Sequence, residues 1–459
     1  MTSTFLLLGA HGDLTRRFLL PALAHLQRDE LLPLDVSVVA VGRRDGDDDA
    51  FRQVAAAALQ EHAAHLDPVD RAALCSRLRY AVADVGCAAE LRPLMQRADG
   101  PLIIYLALPH TLFAATITAL SEVGLPAGSR LVVEKPFGTD LAGARRLNQL
   151  VDALLPEDAV FRVDHFLTMQ SVLDLLGLRF ANRIFEPIWH AGHVERVDII
   201  WEETLALEDR AGYYDSAGAL RDMLQNHLLQ LLCLIAMEPP TSLGERDLRD
   251  RKAEVLRATH PPTSGQMDER TRRGRYTAGM VDGRALPSYA DEPGVDPDRG
   301  TETFAEVTLT VDNWRWSGVP FTLRAGKALA QNRREIAITF REVPHLTFGA
   351  NRPAHPNVLR LSLDPDSIAI EVNVSAAGRP FELAPATLGA QFAPPDLPTY
   401  AHLLAAVFAG DPTLSLRGDE AEEAWRVMEP ILGAWAAGGA PLQDYPAGSV
   451  GPTHKTPTD

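Results

Sequence analysis

The chain has 459 residues, too many for one hydrophobic core, so two or three domains are expected. Its 46% hydrophobic and 23% charged residues are ordinary for a globular protein, and a formal charge of −17 argues against a nucleic-acid-binding surface. Three cysteines, Cys75, Cys87 and Cys233, lie far apart with no CxxC pair; this excludes a zinc framework or disulfide scaffold and fits a reducing cytoplasm. No metal site is expected.

The N-terminal run Phe5 to Leu8 follows no basic region and ends at Gly9, so it reads as a strand and not as a signal peptide. Arg17 to Leu26 reads as the helix after it. The turn between them is Gly9-Ala10-His11-Gly12-Asp13. Such glycines suit either a pyrophosphate-binding turn or a plain strand-to-helix turn. A second strand, Val36–Gly42, ends in Arg43-Arg44, which is either a 2′-phosphate contact or an exposed basic pair. The acidic run at Asp47-Asp48-Asp49 caps a helix through Leu59. Apolar strands at Leu102–Leu108 and Arg130–Glu134 flank a helix at Leu112–Val123. This alternation predicts a parallel, doubly wound sheet with its site at the strand C-termini.

Glu134-Lys135-Pro136-Phe137-Gly138 stands at such a terminus, where Lys135 reaches a ligand oxygen or the segment is a structural corner. A helix from Asp140 to Leu155 and a strand at Val160–Val163 lead to Asp164-His165. A helix over Ala217–Met237 then carries Asp222 and His227. Its apolar run from Leu228 is broken by Gln230 and falls short of the ~18 residues a membrane span needs. Strands at 196–203, 304–311, 321–324, 335–340, 358–363 and 367–373, with no helices between the later ones, predict an α+β domain with a mainly antiparallel sheet. Gly265 to Thr301, rich in Gly, Pro, Asp and Arg, reads as a long surface excursion. Helices are expected over Tyr400–Phe408 and Asp419–Leu432. The resulting division is 1–178 for coenzyme binding, 179–448 for substrate binding and subunit pairing, and 449–459 as a disordered tail.

Taken together and in order, these motifs resemble the glucose-6-phosphate dehydrogenase family over nearly the whole chain. Further matching pieces are Leu178 to Phe185, Glu208 to Asp215, Arg221 to Gln230, Asn313 to Pro320, and Arg324-Ala-Gly-Lys327. The resemblance implies a Rossmann-type coenzyme domain and an α+β domain, paired into homodimers or homotetramers. It implies oxidation of C1 of a hexose phosphate to a δ-lactone with NADP, NAD being the other possible coenzyme. His227 matches the catalytic base and Asp164 the carboxylate that orients it. His165 matches a residue at the substrate phosphate, Glu203 and Asp222 match groups on the sugar hydroxyls, and Lys327 and Lys135 match lysines facing the sugar. Gly9, Ala10, Gly12, Asp13, Arg43 and Lys135 match the coenzyme site.

These residue types suit the chemistry. Loss of hydride from C1 needs simultaneous removal of the C1 hydroxyl proton; a neutral imidazole accepts it near neutrality, and a carboxylate fixes its tautomer.

The chain departs from the family around the substrate phosphate. Met169 stands where the family has a phosphate-binding lysine after Asp-His, and Asn332 where a second basic residue follows the Lys327 motif. Phe18 aligns with a lysine of the glycine loop, and Phe166 with a frequent tyrosine. Losing two charged contacts to a phosphate costs roughly 3–6 kcal/mol, unless Arg333 or Arg334 replaces them. Two substrate readings follow: glucose 6-phosphate, or a glucose-like sugar that is unphosphorylated or altered at position 6. The alternative to an enzyme is a weakly active paralogue acting as a regulatory subunit. His11, where the family has a smaller residue, either bonds a phosphate or fills space.

Overall fold

The computed structural model describes residues 3–98, 100–208, 211–348, 354–378 and 381–452. Of the expected tail, residues 453–459 lie outside the described residues. The chain forms two compact units. The first takes Met1–Thr168, Thr241–Asp250 and Pro395–Glu422, and the second takes the remainder.

The first unit is built on six parallel strands: β1 (Ser3–Leu8), β2 (Val36–Gly42), β3 (Leu78–Val82), β4 (Leu102–Leu106), β5 (Arg130–Val133) and β6 (Val160–Arg162). Their spatial order is 3-2-1-4-5-6, the doubly wound arrangement expected from the alternation. All five residues of β4 are buried, as a strand covered on both faces requires. Helix starts carry their own signals: the Asp47 side chain accepts the Ala50 N–H, and Asp140 that of Gly143. A helix from far along the chain, Thr399–Ala409, completes this core. Its Leu403, Leu404 and Val407 join Phe5, Leu20 and Tyr105 in one cluster, and Arg130 donates to the carbonyls of Val407 and Phe408 at its end.

The second unit holds a ten-stranded sheet. In spatial order its main path runs 383–391, 366–375, 358–363, 333–340, 194–202, 320–326, 304–311, 271–277 and 442–446. Two pairings are parallel, 194–202 with 320–326 and 271–277 with 442–446; the others on this path are antiparallel. One face carries a chain of ion pairs, Arg272–Glu306–Arg324–Glu202 and then Arg333–Glu335–Arg360–Glu371, with Arg333 and Glu202 directly opposed across adjacent strands. Leu229–Ala236 is a wholly buried helix; indole N–H groups of Trp189 and Trp316 donate to the carbonyls of Ile235 and Ala236 at its end.

Two sequence expectations are corrected here. The stretch from Gly265 to Thr301 contains a sheet strand, Thr271–Thr277, buried at alternate positions. The helix expected over Ala217–Met237 is three pieces: Ala211–Ala219, a π-helical turn over Leu220–Leu228, and Leu229–Ala236. The break is at Gly218, with φ +71° and ψ 171°. No helix among the described residues is long and apolar enough to cross a membrane.

Candidate active site

At the end of β1 the backbone turns on Gly9, whose φ is +109°. A Cβ there would lie 2.1 Å from the Ala107 carbonyl oxygen, so only glycine fits. The Gly12 N–H donates to Gly9 O at 3.0 Å, and the Thr15 hydroxyl donates to the same oxygen at 2.8 Å. Helical backbone begins directly after, at Asp13. Ala10 is fully buried with its N–H on Val41 O; Asp13 is exposed and pairs with Arg17. This turn stands between β2 and β4, where the strand order reverses, the place where such sheets bind dinucleotides.

Arg43 follows β2, exposed and without an ion pair among the described residues. The turn suits a pyrophosphate, and the free guanidinium suits a further phosphate. His11 packs edge-on against Phe51 and Tyr80, at 5.9 and 5.5 Å. Burial, aided by Arg44, holds its imidazole pKa below the ordinary value.

After β5, Gly138 at φ +83° lets the Glu134–Gly138 segment press on the next helix; a Cβ there would lie 2.3 Å from Ala144 N. Lys135 is half-buried. Glu134 is buried, and the Tyr105 hydroxyl donates to its Oε1 at 2.5 Å. Tyr400 adds a second hydroxyl. Burial pushes the Glu134 carboxyl up to about 7, against the opposing pull of the two tyrosines and Lys135. After β6, Asp164 is buried and accepts the Phe166 N–H at 3.0 Å. The His165 ring lies parallel to Tyr400 at 5.8 Å and edge-on to Phe166 at 5.1 Å.

The second unit gathers the remaining expected residues. Glu203 follows the strand Val194–Glu202, and its carboxylate takes Lys327 Nζ at 2.8 Å and the Trp201 indole N–H at 3.3 Å. Lys327 Nζ also lies 5.3 Å from the centre of the Tyr214 ring. Asp222 accepts the Tyr213 hydroxyl at 3.3 Å. His227 is buried on the same π-helical turn as Asp222. Wide π turns inside helices recur at functional positions. This one is held by Asn226, whose side chain accepts the His227 N–H and donates to Arg221 O.

The turn begins on another buried acid. Glu302 Oε1 accepts the Leu220 N–H at 3.0 Å, and Glu302 O accepts the Ala219 N–H. A Cβ on Gly218 would collide with that carboxylate at 2.4 Å, so the position of the break admits only glycine. Sequence reasoning missed Glu302, Tyr105 and Tyr400. Each acts on a residue far away in the chain, and only the motif containing Glu134 marked any of this.

Residues 6–174 match the NAD binding domain of glucose-6-phosphate dehydrogenase, and residues 176–457 match its C-terminal domain. The chain belongs to the glucose-6-phosphate dehydrogenase family. It is 40% identical to the glucose-6-phosphate 1-dehydrogenase of Mycolicibacterium smegmatis, over 98% of this chain and 94% of that protein. It is 38% identical to the Rhizobium meliloti enzyme of the same name, with the same coverage. The crystal structure of the Mycobacterium avium glucose-6-phosphate 1-dehydrogenase, 36% identical, superimposes with a TM-score of 0.87 over 98% of this chain and 95% of that one. A glucose-6-phosphate dehydrogenase in complex with glucose 6-phosphate gives 0.88 at 29% identity, with the same coverage. As a glucose-6-phosphate dehydrogenase family member, the chain is an oxidoreductase with a nicotinamide-dinucleotide-binding domain.

At the positions where it departs from the glucose-6-phosphate dehydrogenase pattern, the substituted side chains are engaged locally. Asn332 Oδ1 accepts the Thr204 N–H at 2.9 Å. Phe18, exposed, lies 5.3 Å from the Tyr400 ring, and Phe166 is buried. Met169 precedes the helix Gln170–Phe180 without capping it. Arg333 bonds Glu335; Arg334 lies over the Trp201 ring, bonds Asp364 and stands 3.5 Å from Glu203.

Proposed function

We propose that the chain is an NADP-dependent dehydrogenase that oxidises C1 of a glucose-like sugar to the δ-lactone. Glucose 6-phosphate is the first candidate substrate, since the relatives at 40% and 38% identity carry that activity in their names. The observation that carries the reading is the second unit's polar set: a buried His227 on the same π turn as Asp222, and a Lys327–Glu203 pair.

His227 takes the C1 hydroxyl proton as the hydride leaves C1, and Asp164 orients its ring and stabilises the imidazolium. Glu203 and Asp222 accept the sugar's hydroxyls, while Lys327 and Lys135 face the ring and His165 meets the 6-substituent. A bound nicotinamide supplies the hydride acceptor. Gly9, Gly12 and the helix start after them take the pyrophosphate, and Arg43 takes the 2′-phosphate. The chain works in the cytoplasm as a homodimer or homotetramer.

One observation favours a second substrate. Asn332, Phe18 and Met169 offer no positive charge, and Arg333 and Arg334 are already paired, which suits a sugar lacking the 6-phosphate or altered there. NADPH formation with glucose 6-phosphate, glucose and 6-modified glucoses decides between them. Efficient turnover of the phosphate at micromolar KM excludes the second substrate. Turnover of any of these sugars that vanishes in His227→Asn excludes a purely regulatory subunit. Arg43→Ala should raise KM for NADP far more than for NAD; an equal rise refutes the 2′-phosphate assignment.

A further inference from the structure

One of the first unit's buried acids, Glu134, has no part in the chemistry above. Glu134 lies at the end of β5 between two tyrosines: Tyr105 at the end of β4, wholly buried, and Tyr400 in the first turn of the helix Thr399–Ala409. Tyr105 is immobilised, edge-on to Phe5 at 6.2 Å, and its short bond fixes the carboxyl. The carboxyl in turn takes the hydroxyl of Tyr400, whose ring lies parallel to His165 with 19° between the planes. A rigid strand, a carboxyl, a phenol and an imidazole thus form one continuous series. Burying a carboxyl in an otherwise apolar sheet is costly, and apolar side chains of similar volume would pack there without that cost.

We propose that Glu134 is a positioning residue that, through Tyr400, fixes the plane of the His165 ring for the sugar's 6-substituent. This rests on the reading that His165 meets the substrate. The charged groups around the acid are few. Tyr105 and Tyr400 face it from two elements and stay protonated donors, their pKa values driven up by burial. Lys135 follows it in the chain and favours its charge, while Asp164 opposes it. As a carboxylate Glu134 accepts both hydroxyls. Once protonated, it places a proton of its own on one oxygen, and one tyrosine must give up its donor role. With Tyr105 held in the sheet, Tyr400 is the one whose bond to the acid changes direction, its hydroxyl accepting where it had donated. The support under His165 is therefore complete above about pH 7 and weakens below it.

The test compares wild type, Glu134→Gln, Tyr400→Phe and His165→Ala with saturating NADP between pH 5.5 and 9. The sugar probes are glucose 6-phosphate and glucose, and NADP binding is measured separately by fluorescence titration. The expected result is a wild-type sugar KM that rises as pH falls through 7. Glu134→Gln and Tyr400→Phe should raise KM roughly fivefold at pH 8, with a smaller fall in kcat, unchanged NADP affinity and no inflection in KM near 7. Retention of that inflection in both variants would assign it to a histidine and overturn the proposal, as would an unchanged KM. If His165→Ala leaves KM unaltered, the underlying substrate reading fails instead. A His165→Ala effect with neutral Glu134→Gln and Tyr400→Phe sinks only the positioning role.

Discussion

Along β4 of the first unit every side chain from Leu102 to Leu106 is buried, whereas along Phe304–Val311 of the second unit Glu306, Thr308 and Thr310 are only half-buried. The first sheet is parallel and its central strand β4 is covered on both faces, so that strand has no side on which to carry charge. The second has one polar face and fills it with arginines and glutamates that pair from strand to strand. Electrostatic stability in the second unit is distributed over a series of partners. In the first unit it rests on a few isolated buried groups: Glu134 beside its tyrosines, Asp164, and Arg162 paired with Glu157. The same residue type, glutamate, is thus shared between arginines in one sheet and held by a tyrosine hydroxyl beside the other.

Four measurements break or sharpen this contrast. Ile104→Ala, at a fully buried position of β4, should lower stability by roughly 4 kcal/mol, read as a shift in the urea midpoint of the first unit. A loss below about 1 kcal/mol would mean that the parallel sheet is not the unit's apolar centre. Glu306→Ala leaves Arg272 and Arg324 without their shared partner and should cost about 3 kcal/mol. Replacing Glu306 and Arg272 together with leucine and methionine should recover most of it; additive losses would deny the pairing any role.

The third measurement uses pH. Folding raises the Glu134 carboxyl from 4.5 to about 7, so the folded form holds the proton more tightly. Its contribution is fully present below pH 4.5 and is lost as pH rises towards 7. Glu134→Gln should therefore gain on wild type across that window, by on the order of 2 kcal/mol in chemical denaturation. Parallel curves would place the acid in water. The smallest effect is expected at the open end of the charged face. Arg360→Ala, about a third exposed, should cost below about 1 kcal/mol, and 1 M salt should remove most of that.

The first unit was read from sequence almost strand by strand, because its signals are local: continuous apolar runs, glycine turns and aspartate caps. β3 escaped, since Leu78-Arg-Tyr-Ala-Val82 is a half-exposed edge strand with no apolar run. In the second unit, Thr271-Arg-Arg-Gly-Arg-Tyr-Thr277 looked like a loop. Its arginines are acceptable in a sheet only because partners such as Glu306, 34 residues on, neutralise them. The break at Gly218 was hidden for the same reason, since the carboxylate packed on it belongs to the distant Glu302. The residue types at the candidate site came from motifs. Their supports, Tyr400 under His165 and Glu302 under the turn that bears His227, are long-range and left no mark in the local pattern.

The helix Thr399–Ala409 has a consequence for how the protein is made. The first unit's own strands leave the ribosome by Arg162, but the helix that covers Phe5 and supplies Tyr400 follows more than two hundred residues later. At translation rates of about 5–20 residues per second, the uncovered sheet waits on the order of ten to fifty seconds for it. Throughout that interval the apolar floor under Leu404 and Val407 is bare, and Glu134 has only Tyr105. Nascent chains halted before Thr399 should therefore bind chaperones that recognise exposed apolar surface, and those extended past Glu422 should be released.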